Sequence, residues 1–291
     1  MSLNPEFESL VPAQSFDRRS FLVTSLGVGF ALAVQPVMAQ TAIKTDDAGL
    51  LAGEVNVPVK DGEMVAYRAL PKGANKPPVV LVVSEIFGAH EYIRDVCRRL
   101  AKQGYCAIAP ELFARQGDPR QYSSIAEIIA NITNKTPDAQ VMSDLDATVA
   151  WAASKGADTN RLAITGFCWG GRITWLYSAH NPQVKAGVAW YGRLVGEASA
   201  LTPRHPTDLV GELKAPVLGL YGGLDTGIPL ASIETMEAAL KTGSAAARLS
   251  QIHLYDNAPH AFHADYRPSY HKAEAEDGWQ RMLAWFNKMN A

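Results

Sequence analysis

The hexapeptide Gly166-Phe167-Cys168-Trp169-Gly170-Gly171 places a cysteine between two glycines, each two residues away. It follows the apolar run Leu162-Ala163-Ile164 and opens a helical stretch. A G-x-nucleophile-x-G pattern in that setting makes a strained strand-to-helix turn, where side chains at the glycine positions would collide. The helix N-terminus favours the thiolate, the reactive form of cysteine, and an oxyanion growing beside it. The backbone N–H of Trp169 is then one oxyanion donor. A pattern this short also fits a buried structural cysteine in a tight turn.

Two later segments supply the rest of a nucleophilic mechanism. Asp225 closes Leu220-Tyr221-Gly222-Gly223-Leu224-Asp225, after the apolar run Val217 to Leu220. His260 lies in Asn257-Ala258-Pro259-His260-Ala261-Phe262, after the strand-like run Ile252 to Tyr255. In that arrangement His260 takes the thiol proton, and Asp225 orients the imidazole and stabilises its cation. Taken singly, Asp225 also reads as a residue bonding its own turn, and His260 as an ordinary core or surface histidine. The order nucleophile, acid, histidine is the one α/β-hydrolases use.

The elements that must position these residues alternate in type. Val79-Val80-Leu81-Val82-Val83 is continuously apolar, as in a strand covered on both faces. Ala107 to Ala109, Leu162 to Ile164, Gly187 to Trp190 and Val217 to Leu220 read the same way. Between them, Tyr92 to Lys102 carries Ile93, Val96, Cys97 and Leu100 on one helical stripe, and Ala139 to Ser154 carries Val141, Leu145, Thr148, Val149 and Ala152. Thr235 to Leu240 and Gly278 to Met289 read as further helices. Glu54 to Arg68 reads as an antiparallel edge hairpin around Asp61-Gly62. The pattern predicts an α/β fold with a doubly wound, mostly parallel sheet and helices on both faces. Ligands bind at the carboxyl ends of such strands, where Cys168, Asp225 and His260 fall.

Composition narrows the partners. The chain has 291 residues, 47% hydrophobic and 19% charged, with a formal net charge of −2. That balance gives no electrostatic case for nucleic acid, and no basic amphipathic stretch suits a membrane surface. Three cysteines are too few for a disulfide framework. Cys97 and Cys106 are the one pair that leaves Cys168 out, and both also read as small buried apolar residues.

The N-terminus reads as a separate segment. Asp17-Arg18-Arg19-Ser20 precedes a mildly apolar tract from Phe21 to about Val34, and Val37-Met38-Ala39 offers small residues for cleavage before Gln40. This is the layout of an export signal. The arginine pair resembles a twin-arginine signal, with Asp17 where Ser or Thr is usual. The tract is too short to span a bilayer. The expectation is residues 1–39 as a cleaved signal read by the Tat export machinery, 40–52 as a linker, and 53–291 as one domain. The mature chain is expected in a bacterial periplasm, without stable membrane association.

From residue 50 to 290 the chain resembles the dienelactone hydrolases, or carboxymethylenebutenolidases. The resemblance rests on Glu85-Ile86-Phe87-Gly88, Pro110-Glu111-Leu112-Phe113-Ala114-Arg115, the Cys168 hexapeptide, Tyr221 to Asp225, and His260-Ala261-Phe262. It implies Cys168, Asp225 and His260 as the triad, and Glu85 as the group that holds the resting thiol. It implies the Ile86 N–H as the second oxyanion donor and Arg115 as a binder of the substrate carboxylate. The implied reaction is attack on a small-molecule lactone or activated ester, an acyl-thioester, then hydrolysis, with no cofactor or metal. A thiolate is a strong nucleophile but also a good leaving group, which suits activated esters better than amides.

The family's second carboxylate-binding arginine lies four residues after the histidine, where this chain has Ala264; His263 and Arg267 stand nearby. That departure leaves room for a general periplasmic esterase or thioesterase on the same scaffold, or for a binding protein that lost catalysis. A metal site at His260 and His263 is a further alternative, against which H-x-x-H lacks the i, i+4 spacing of a helical zinc site.

Overall fold

The computed structural model describes residues 43–291. Eight strands form one sheet: β1 (Leu50–Val59), β2 (Gly62–Pro71), β3 (Pro78–Val83), β4 (Cys106–Pro110), β5 (Asp158–Phe167), β6 (Val184–Trp190), β7 (Val217–Gly222) and β8 (Gln251–Tyr255). Their spatial order is β1-β2-β4-β3-β5-β6-β7-β8. From β4 to β8 every pairing is parallel, and β1 and β2 are antiparallel additions at one edge. The apolar runs are the central strands: β4 and β7 are buried at every residue, as strands covered on both sides must be. The edge hairpin turns at Lys60-Asp61, one residue earlier than the Asp-Gly pair suggests, because Val59 pairs with Gly62.

The helices are α1 (Glu91–Lys102), α2 (Ile125–Asn131), α3 (Asp138–Ser154), α4 (Trp169–His180), α5 (Leu230–Thr242), α6 (Ala245–Leu249) and α7 (Lys272–Lys288). The step from β3 to β4 runs one way along the sheet, and the steps from β4 onward run the other way. With right-handed crossovers, α1 and the later helices therefore fall on opposite faces. The last helix, α7, returns to the α1 face, where Arg99 of α1 sits 3.9 Å from the centre of the Trp279 ring. A side chain at Gly278 would come within 2.6 Å of the Trp190 ring, so glycine lets α7 close onto β6.

The segment expected as a linker is, from residue 43, bound to the domain. The backbone N–H of Ile43 donates to Asp265 and that of Thr45 to Asp95, each at 2.6 Å, and Arg98 donates to the Thr45 carbonyl. β1 then starts at Leu50, three residues before the expected domain boundary. Residues 43–49 are thus strapped across α1 by polar contacts that no apolar pattern announces. The expected signal of residues 1–39 lies outside the described residues.

Candidate active site

The sheet order reverses beside β3 and β5, and this switch point is where ligands bind in doubly wound sheets. Val83 at the end of β3 pairs with Gly166 near the end of β5. The peptide Ser84-Glu85-Ile86 therefore lies alongside the turn that carries Cys168.

Cys168 caps α4 with φ 53° and ψ −115°. A non-glycine residue held there costs about 1–3 kcal/mol, which the surroundings must offset. Its N–H donates to the Trp190 carbonyl at 3.0 Å, and its carbonyl accepts from Gly171 at 2.9 Å. The flanking glycines allow backbone to meet backbone. A Cβ at Gly166 would lie 2.2 Å from the Gly170 carbonyl oxygen, and one at Gly170 would lie 2.3 Å from that of Val83. Trp169 is the first residue of α4, so its N–H is among those with no acceptor inside the helix. Cys168, Glu85 and Ile86 are fully buried.

The loops after β7 and β8 bring Asp225 and His260 side by side. The His260 Nδ1 lies 2.6 Å from Asp225 Oδ2. The other oxygen of Asp225 accepts from the N–H groups of Gly227 and Ile228, at 2.8 and 3.1 Å, which fixes the carboxylate plane. The Tyr191 ring meets the imidazole edge-on at 5.1 Å. Burial opposes a charge on His260, but Asp225 and then Cys168 outweigh it, through charge and hydrogen bonding, and raise its pKa well above the usual value. The imidazole is thus coupled to the Cys168 side chain as well as to Asp225, and both favour its charged form.

Glu85 is the second carboxylate of the site. Its Oε2 accepts from Tyr266 at 2.8 Å and lies 3.1 Å from His90 Nε2. Burial pushes its pKa up, but His90, Arg267 and Tyr266 together pull it below the usual carboxylate range. His90 and Tyr266 were not legible as site residues. Their only signal is position: each lies in a peptide just beyond a strand, His90 five residues after Glu85 and Tyr266 six after His260. Arg267 is at this site. Its Nε donates to Tyr266 at 3.2 Å, its guanidinium lies 5.2 Å from the Phe87 ring centre, and its charge interacts with Glu85 and Cys168.

Arg115 departs from expectation. It follows β4 at the carboxyl edge, but its guanidinium is spread between two carboxylates. Nε donates to Asp61 in the hairpin turn at 2.7 Å, and Nη1 to Asp144 of α3 at 2.6 Å. Among the described residues its contacts are with these structural acids, not with Cys168, His260 or Glu85. His263 also reads differently. Its Nδ1 lies 2.6 Å from the Tyr92 hydroxyl, and its ring packs against Phe167, Trp190 and Trp279. Burial, with help from the charge of Arg99, pushes its pKa well below the usual value. It is a neutral core histidine rather than a second ligand beside His260. Cys97 and Cys106 are both buried free thiols.

A mostly parallel eight-stranded sheet, wound in both directions and presenting these loops at the carboxyl ends of its strands, is the α/β-hydrolase fold. The chain belongs to the dienelactone hydrolase family, whose model matches residues 64–290. It is a hydrolase of that family. A Methylorubrum extorquens protein, named provisionally as a carboxymethylenebutenolidase, is 58% identical over 288 residues, 99% of this chain and 98% of that protein. An Escherichia coli K12 protein with the same provisional name is 54% identical over 268 residues, 92% of this chain and 97% of that one. A crystal structure from Klebsiella pneumoniae, titled provisionally as a dienelactone hydrolase, superposes with a TM-score of 0.80 at 57% identity. That match covers 82% of this chain and 98% of the other.

Proposed function

We propose that the chain hydrolyses a lactone or activated ester through a Cys168-His260-Asp225 triad and an acyl-thioester. His260 accepts the Cys168 proton, and the thiolate attacks the carbonyl carbon. The developing oxyanion accepts hydrogen bonds from the N–H groups of Ile86 and Trp169. Collapse expels the alkoxide or enolate, which takes the proton from His260. A water then enters, His260 removes its proton, and the thioester breaks to acid and free thiol. The observation that carries this reading is the buried 2.6 Å contact between His260 and Asp225, together with the coupling of that histidine to Cys168. Glu85 is read as the anion that faces the resting thiol. In the test, one equivalent of iodoacetamide abolishes hydrolysis and adds one label, at Cys168. Full activity in Cys168→Ala refutes the mechanism.

The two carboxylates on Arg115 favour a second substrate reading, a general esterase or thioesterase that does not select a substrate carboxylate through that residue. A panel of carboxylated lactones, neutral aryl esters and thioesters separates the two. For localisation we propose twin-arginine export, supported by Arg18-Arg19 and the mild apolar tract after them. Replacing both arginines by lysine should leave the precursor in the cytoplasm on fractionation. A mature form that still reaches the periplasm at the normal rate refutes it.

A further inference from the structure

Glu85 is fully buried and next to the nucleophile turn. Its Oε2 is bound from two directions. His90 approaches from the loop before α1, and Tyr266 from the loop between β8 and α7. The His90 ring is itself fixed, 5.8 Å from Tyr92, 6.1 Å from Phe87 and 5.1 Å from Tyr266. Tyr266 in turn accepts from Arg267. The second oxygen, Oε1, takes no hydrogen bond from the described residues. We propose that His90 and Tyr266 are positioning residues that clamp one oxygen of Glu85, keeping it an anion beside Cys168 with its other oxygen turned to incoming groups.

The clamp answers a definite physical problem. A carboxylate stripped of water takes up a proton unless donors and cations offset the loss. For Glu85, burial raises the pKa, and the hydrogen bond and charge of His90, the charge of Arg267 and the hydroxyl of Tyr266 reverse it. The other titratable groups facing it, Tyr92 and Tyr191, are phenols that burial keeps neutral, so they add no charge. Both clamping donors arrive on loops, so a substrate that displaces either loop would change the charge beside the sulfur.

This inference rests on the reading of Glu85 given above, and the test separates the two. The probe is iodoacetamide, and the measurement is its rate of reaction with Cys168 from pH 3 to 9 in the full-length protein. Parallel kcat/KM profiles use a neutral aryl ester. Tyr266→Phe keeps the ring and removes only the hydroxyl, and His90→Leu removes the imidazole. Each should move the acidic step that belongs to Glu85 to higher pH, by about one to two pH units. His90→Gln, which offers an amide donor near the place of Nε2, should move it most of the way back. A packing defect lowers the melting temperature but does not move a pH step. If His90→Leu fails to fold, Tyr266→Phe decides alone. A step that stays put in these variants while Glu85→Gln abolishes it overturns the clamp. A profile that Glu85→Gln leaves unchanged overturns the reading of Glu85, and the clamp with it.

Discussion

Replacing Asp225 by asparagine tests the proposed triad without changing its shape. In the native chain Oδ1 accepts from two backbone N–H groups and Oδ2 faces His260 Nδ1 at 2.6 Å. Both roles require an acceptor. An asparagine keeps its carbonyl toward Gly227 and Ile228, since an amide N–H there would oppose two donors. Its NH2 group then faces Nδ1, and the imidazole must carry its proton on Nε2, the nitrogen needed to accept from Cys168. Loss of a hydrogen bond to a charged group costs about 1.5–3 kcal/mol, or about 10- to 150-fold. The wrong tautomer raises the loss toward about 10⁴-fold, as in serine enzymes with the same change. The imidazolium also loses its main stabilising charge. Thiolate formed by proton transfer to His260 therefore falls at neutral pH, and alkylation of Cys168 should begin only at higher pH. The assay pairs kcat/KM for an aryl ester with iodoacetamide rates from pH 5 to 10. Activity within about threefold of wild type, with an unshifted alkylation profile, would refute the assignment of Asp225.

Two further outcomes follow from residues that the structure reassigns. Arg115→Ala should leave Asp144 as a buried carboxylate without its cation, lowering stability by about 2–3 kcal/mol in urea unfolding. The ratio of KM for a carboxylated lactone to that for a neutral ester should stay within about twofold, and a selective rise for the carboxylated substrate would restore Arg115 as a reader of charge. His263 is held neutral in the fold, so the unfolded chain binds a proton below about pH 6.5 that the folded chain refuses. Its contribution to stability, complete above that pH, is lost on acidification at about 1.4 kcal/mol per pH unit. His263→Asn, with a carbonyl in place of Nδ1, should flatten stability against pH by that slope between pH 6 and 4.5, and equal slopes in the two proteins would show that His263 titrates alike folded and unfolded.

The amino-acid sequence by itself determined the alternation of strands and helices, because apolar runs and single stripes report burial locally. It also determined the candidate nucleophile turn. Gly166 and Gly170 are needed wherever backbone meets backbone this closely, and that need is written into the residues themselves. The order of Cys168, Asp225 and His260 was legible for the same reason, since each follows its own strand. What tertiary structure decided is the partnership of polar side chains far apart in the chain. Glu85 and Tyr266 are separated by 181 residues, and Arg115 is separated from Asp61 by 54 and from Asp144 by 29. An arginine at the carboxyl edge of a sheet looks alike in sequence whether its guanidinium faces a ligand or two carboxylates of its own fold, one exposed and one buried. The strap of residues 43–49 escaped for a related reason: its backbone N–H groups bind Asp265 and Asp95, and a backbone donor carries no sequence signature. Burial patterns are periodic and can be read along the chain. Hydrogen-bond partners are set by the folded path, which brings one loop beside another.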